Sequence, residues 1–223
     1  MKVEDETLQQ AFENLHSADG GPMTGRIIAA HNALEAGLRL LKEKEGNALT
    51  CNHKWWQEYN KGIFPHGIHT LTAQERIRIQ EMLHSNDVML FLYEAMITMM
   101  GNYTEKLGSL MQQTLGNESP SIRKLSAFNK NIDEYTKKHH LKPFPQKGKV
   151  LAQNLYDGLY TQRNTVAHEL EELSMFRGVT IGPTGTNYQW PGKFKTDSKK
   201  IEEMMGTLEN YTQLVAHFIN INT

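Results

Sequence analysis

The chain has 223 residues, enough to bury a core without disulfide staples. Its 24 basic residues against 25 acidic ones leave a formal net charge of -1, which excludes a general nucleic-acid coat driven by phosphate neutralisation, so any nucleic-acid contact has to be local. A lone cysteine, Cys51, excludes an internal disulfide, and no apolar run follows a basic patch at the N-terminus, so the expected compartment is the reducing cytoplasm.

From Thr24 to Glu45 the apolar residues Ile27, Ile28, Leu34, Leu38 and Leu41 recur at helical spacing, with Thr24 as N-cap and Gly46 as stop. Residues 47–71 lose that period. Trp55, Trp56, Phe64 and Pro65 stand among polar residues and glycines, which predicts an irregular, aromatic-pinned insertion. Thr72 and Glu75 form a capping box for a short helix with Ile77, Ile79 and Leu83, expected to end near Ser85. Asp87 then caps a long helix to about Leu115. Its most apolar stretch, Val88 to Met100, falls short of the roughly 20 residues of a membrane span, so it predicts a buried helix and no membrane partner.

Ser119, Pro120 and Ser121 restart a helix through about His139, and Leu141 to Gly148, with two prolines, is a connector. Lys149 to Met175 contains no proline. Leu151, Leu155, Leu159, Val166, Leu170 and Leu173 fall there within a stripe about 100° wide, the core face of a long helix. Gly178 to Lys193, around Gly-Pro-Thr-Gly, suits a small β-hairpin or an ordered loop, with flanks spanning 178–195. A last amphipathic helix runs from about Ser198 to Ile219. The expected fold is all-α: one domain over 1–223, a bundle of five or six helices with the hairpin or loop before the C-terminal helix.

The chemistry-bearing residues stand inside the helix from Lys149. Asn164 and His168 are one turn apart on one face, about 40° from each other, and Arg163 lies between that face and the apolar stripe. His168 therefore points away from the core. Tyr156, Tyr160 and Ala167 give the helix a second, semi-apolar surface of the kind that packs against something.

The segment Arg163-Asn164-Thr165-Val166-Ala167-His168 resembles the Arg-polar-x-x-x-His motif of the HEPN superfamily, in a helical setting that also matches. The resemblance covers mainly residues 87–175. It implies an HEPN-like helical bundle that pairs as a homodimer and brings two motif copies into a cleft that cuts RNA without a metal or other cofactor. Many such relatives act as toxins or anti-phage defence effectors, so an antitoxin or regulatory partner is part of the implication. Arg163, Asn164 and His168 become the catalytic candidates. A second Arg-x4-His spacing, from Arg26 to His31, has Ile27 where the polar residue belongs and is set aside as coincidence.

The chemistry is consistent with these side chains. A histidine can take the proton of the RNA 2′-hydroxyl, which then attacks the neighbouring phosphate and leaves a cyclic phosphate. Arg163 can hold that phosphate through paired N–H donors, and Asn164 can orient His168 or touch substrate. Tyr160 is a supporting candidate, and Glu94, the one charge in an apolar run, either pairs with Arg163 or faces solvent. Lys137, Lys138, His139, His140 and Lys142 are candidates for RNA contact, with Lys147, Lys149, Lys193, Lys195, Lys199 and Lys200 adding to the basic surface. Cys51, His53, His66 and His69 could ligate zinc, but one intervening residue between the first two is tight for a chelate, and no metal site is assigned. Two rival readings remain: a non-catalytic HEPN module binding RNA, a nucleotide or a protein partner, and a helical interaction or scaffold protein.

Overall fold

The computed structural model describes the backbone of residues 7–60, 72–116, 125–168, 179–182, 185–188 and 198–223. Helix α1 (Leu8–Asp19) starts at Thr7, whose hydroxyl accepts from the Gln10 N–H at 3.3 Å, and ends at Gly20 in the left-handed region. Asp19 then caps the next helix. Its carboxylate accepts from the backbone N–H groups of Gly21, Met23 and Thr24 at 2.5, 2.9 and 2.8 Å. Pro22, which has no N–H to satisfy, occupies the first position of α2 (Pro22–Asn60). Partial burial works to raise the Asp19 pKa, but the hydrogen bonds from Thr24, Gly21 and Met23 outweigh it and hold the carboxyl below its ordinary 3.8.

Helix α1 is absent from the expected elements, although its signals are present: a threonine cap, Ala11 and Leu15 one turn apart and fully buried, and a Gly-Gly stop. Helix α2 corrects the expectation in the other direction. Gly46 does not stop it, and residues 47–60 of the expected irregular insertion are helical. An interior glycine costs only about 1 kcal/mol relative to alanine. Leu41 and Ala48, on either side of Gly46, are both fully buried, and their packing outweighs that cost. Residues 61–71, with Phe64, Pro65, His66 and His69, lie outside the described residues, as do the side chains of His53, Trp55 and Trp56.

Helix α3 (Ala73–Leu115) is likewise one helix where two are expected, and Asp87 is an interior residue rather than a cap. Ser85 sits within the helix with its hydroxyl donating to the Glu81 carbonyl at 2.8 Å. Helices α2 and α3 pack along each other in antiparallel sense, with Gly37 against Met96 near their middles and Cys51 beside Ser85 further along. A Cβ on Gly37 would overlap the Met96 sulfur, so the glycine permits the close approach.

Residues 117–124, where the next helix is expected to begin, lie outside the described residues. Helix α4 (Leu125–Lys138) leads through a connector to α5 (Gln146–His168), which begins three residues before the expected Lys149 because Pro145 supplies the carbonyl that starts it. The connector is seated by Phe144. Its ring stands edge-on to Phe128 of α4, with centroids 5.4 Å apart, and to Phe218 of the C-terminal helix at 5.1 Å. Strands β1 (Val179–Gly182) and β2 (Gly185–Tyr188) pair antiparallel, Val179 opposite Tyr188.

Helix α6 (Ser198–Asn220) packs against α1, α2, α3 and α5. Ile201, Leu208, Tyr211, Val215, Phe218 and Ile219 are at most 1% exposed, which puts this helix in the middle of the core. Six helices are thus seen among the described residues, all around one apolar core. The number falls within the expected five or six, but the set differs, with α1 gained and two expected helices fused in α3. No helix among the described residues is long and apolar enough to cross a membrane.

Candidate functional site

Helix α5 carries the Arg163-to-His168 segment at its C-terminal end. Ala152, Leu155 and Leu159 are buried on one side of the helix, Val150, Asn154 and Asp157 exposed on the other. At about 100° per residue, positions 164 and 168 continue the exposed line of Val150 and Asp157, whereas position 163 falls at the border of the buried stripe. The side chains of Tyr160, Arg163, Asn164 and His168 lie outside the described residues, and so do residues 169–178 of the expected helix. Tyr156 is half-buried against the core.

Glu94 is exposed on α3, which gives the solvent-facing of its two expected readings. Helices α3 and α5 do pack together, but any contact between Glu94 and Arg163 lies outside the described residues. The five expected RNA-contact residues Lys137, Lys138, His139, His140 and Lys142 are all exposed, at the end of α4 and in the connector. Lysines in the last turn of α4 complement the negative end of its dipole. Lys149 has a structural task, since its ammonium lies 2.6 Å from Asp133 and ties α5 to α4. Lys147 is exposed, Lys199 lies 3.8 Å from Glu203, and Lys193 and Lys195 are outside the described residues. Cys51 is half-buried, with its sulfur 3.8 Å from the Ser85 hydroxyl. The other zinc candidates, His53, His66 and His69, fall outside the described side chains.

Sequence reasoning missed a polar junction at His31. The residue is 6% exposed, and its Nε2 lies 3.0 Å from the Glu209 carboxylate of α6. Phe12 of α1 stands edge-on to the imidazole, with ring centroids 5.7 Å apart, and the Tyr103 ring of α3 is 6.4 Å away. Tyr103 shares a 3.0 Å hydrogen bond with Thr212, whose hydroxyl donates to the Leu208 carbonyl at 2.8 Å. Burial pushes the Tyr103 phenol pKa well up, against the lowering effect of the Thr212 bond, and the Glu209 charge pushes it further. The junction lies below an open groove of about 690 Å³ between α1 and α2, lined among others by Phe12, Glu13, His16, Ile28, His31 and Glu35.

One half of this junction was legible. Ile27, His31, Leu34, Leu38 and Leu41 follow one another at helical spacing, so position 31 belongs to the core stripe and its imidazole needs a partner there. The Arg26-to-His31 spacing drew attention to the same histidine for another reason, but Arg26 is exposed while His31 is buried, so the two do not share a surface. Comparisons of the chain with protein-family models, with curated proteins and with solved structures found no match.

Proposed function

We propose that the chain is a metal-independent endoribonuclease of HEPN type, working in the cytoplasm as a homodimer and serving as a toxin or anti-phage effector under the control of an antitoxin or other partner. The observation that carries the reading is the Arg163-Asn164-Thr165-Val166-Ala167-His168 segment within α5, where at about 100° per residue positions 164 and 168 fall in line with the exposed Val150 and Asp157. An all-helical core supports it.

In the proposed reaction one histidine accepts the 2′-hydroxyl proton, the 2′-oxygen bonds to phosphorus and the bond to the 5′-oxygen breaks. The leaving oxygen takes a proton from the second histidine of the dimer, and a 2′,3′-cyclic phosphate remains. Arg163 neutralises the charge that builds on the phosphate oxygens. The test is RNA cleavage in EDTA by the wild type, Arg163→Ala and His168→Ala, matched for helical content, with product ends mapped. Cyclic phosphate from the wild type alone supports the reading. RNA binding without cleavage by any variant points to a non-catalytic module, and neither binding nor cleavage points to a helical interaction protein.

A further inference from the structure

We propose that the groove between α1 and α2 binds a small organic cation, an ammonium or guanidinium group carried on an apolar body. This site goes beyond the ribonuclease reading and does not depend on it. The lining residues combine two carboxylates, Glu13 and Glu35, with the apolar side chains of Leu8, Phe12 and Ile28, and include no lysine or arginine. A groove of that charge repels phosphate, so RNA is not its occupant. Its volume of about 690 Å³ falls in the ordinary range of small-molecule sites.

His31 makes the groove more than a cluster of acids. The side chain is more than nine-tenths buried, lines the groove, and has Nε2 engaged by Glu209 at 3.0 Å. In the neutral tautomer that donates Nε2–H to that carboxylate, Nδ1 is an acceptor, and no hydrogen bond to it is found among the described residues. An ammonium or guanidinium N–H can donate to Nδ1, while its charge is balanced by Glu35 and Glu13 and its body rests against Phe12, whose ring face attracts cations. A carboxylate ligand would meet the same acceptor and the same negative field, and be rejected by both.

The test is calorimetric titration of the full chain with phenethylamine and agmatine, with 2-phenylethanol as uncharged counterpart and Nα-acetyl-lysine methylamide to represent a side chain offered by a peptide. Saturable binding of a cation is expected, weaker by roughly tenfold or more for the alcohol, the loss of one charge-assisted hydrogen bond. The Glu13→Gln/Glu35→Gln double variant, altered at the rim of the groove, is expected to keep its melting temperature and lose affinity for the cation by a similar factor. His31→Gln tests the acceptor where it folds; the rim variant decides the matter where it does not. Preference for the lysine amide over the free amines identifies the source as a partner's side chain, and the reverse preference a free metabolite. The proposal is overturned by no saturable binding of any cation, by equal binding of alcohol and amine, or by undiminished binding to the folded rim variant.

Discussion

His31 on α2 and Glu209 on α6 are 178 positions apart in the chain and 3.0 Å apart in the fold. The pair closes the junction of three helices at a point where the Tyr103 ring of α3 also stands near His31 and its hydroxyl bonds Thr212 of α6. A buried imidazole without a partner is costly, so this carboxylate is the condition on which a histidine can occupy the core stripe of α2.

Replacing Glu209 by alanine is therefore expected to destabilise the protein by about 1–3 kcal/mol, the cost of leaving His31 buried without its partner. Glu209→Gln, which keeps an acceptor oxygen, is expected to lose less. Equilibrium unfolding in urea measures both, and equal losses would show that the hydrogen bond to His31 is not what Glu209 contributes.

Two of the buried tyrosines, Tyr103 and Tyr211, are expected to respond oppositely to loss of their hydroxyls. Tyr103→Phe gives up the bond to Thr212, worth about 0.5–1.5 kcal/mol. Tyr211 is fully buried, its phenol pKa is pushed up by that burial, and its hydroxyl has no hydrogen-bond partner among the described residues. Tyr211→Phe should thus be neutral or stabilising in the same unfolding measurement, because it removes a polar group that is desolvated without compensation. A loss above about 1 kcal/mol at Tyr211 would reveal a partner for its hydroxyl.

Asp19→Ala removes the cap of α2 and is expected to cost about 1 kcal/mol near neutral pH. The sign of the pH dependence follows from the lowered pKa of the carboxyl. Its contribution is fully present above the ordinary value of 3.8 and disappears as pH falls through the lower folded value, when the carboxylate protonates. The stability gap between wild type and variant should stay constant from pH 7 to about 5 and close in the acid range below 4. A gap that persists at pH 2 would show that the charge is not involved.

Gly21→Ala is expected to destabilise the turn between α1 and α2 by about 1 kcal/mol or more. Gly21 has φ 103, and an added Cβ would stand 2.5 Å from the His16 ring. Gly20→Ala, at φ 67 but with open space around it, should lose less, and thermal melts of the two variants compare strain alone with strain plus overlap.

For the proposed ribonuclease, His168→Ala is expected to lower the cleavage rate by roughly 10²–10⁴-fold, the usual contribution of a general acid or base. Its circular dichroism should match the wild type, since position 168 continues the exposed line of Val150 and Asp157 on α5. Loss of helix in that variant would make the histidine structural.

Where one helical period ran on without interruption, as in α6 and in the described part of α5, where Leu155 and Leu159 are buried, the residues themselves disclosed the element and its buried face. The boundaries failed where a local signal opposed a tertiary one. Gly46, Ser85 and Asp87 are stop or cap residues by type, yet each lies inside a helix, because α2 and α3 bury a common seam that includes Leu41, Ala48, Met89 and Met96. Such signals amount to about 1 kcal/mol each, and a packed seam exceeds that easily.

By itself the sequence determined the helical class and the apolar stripes, and it set positions 164 and 168 of α5 off the core stripe of that helix, since spacing along a helix translates directly into direction around it. Only the tertiary structure decided that α2 and α3 run unbroken as a pair, that α6 occupies the centre, and that His31 finds Glu209 at the base of a groove. Those facts depend on which distant faces meet, and the energy of that meeting is shared among many side chains rather than written at any one position.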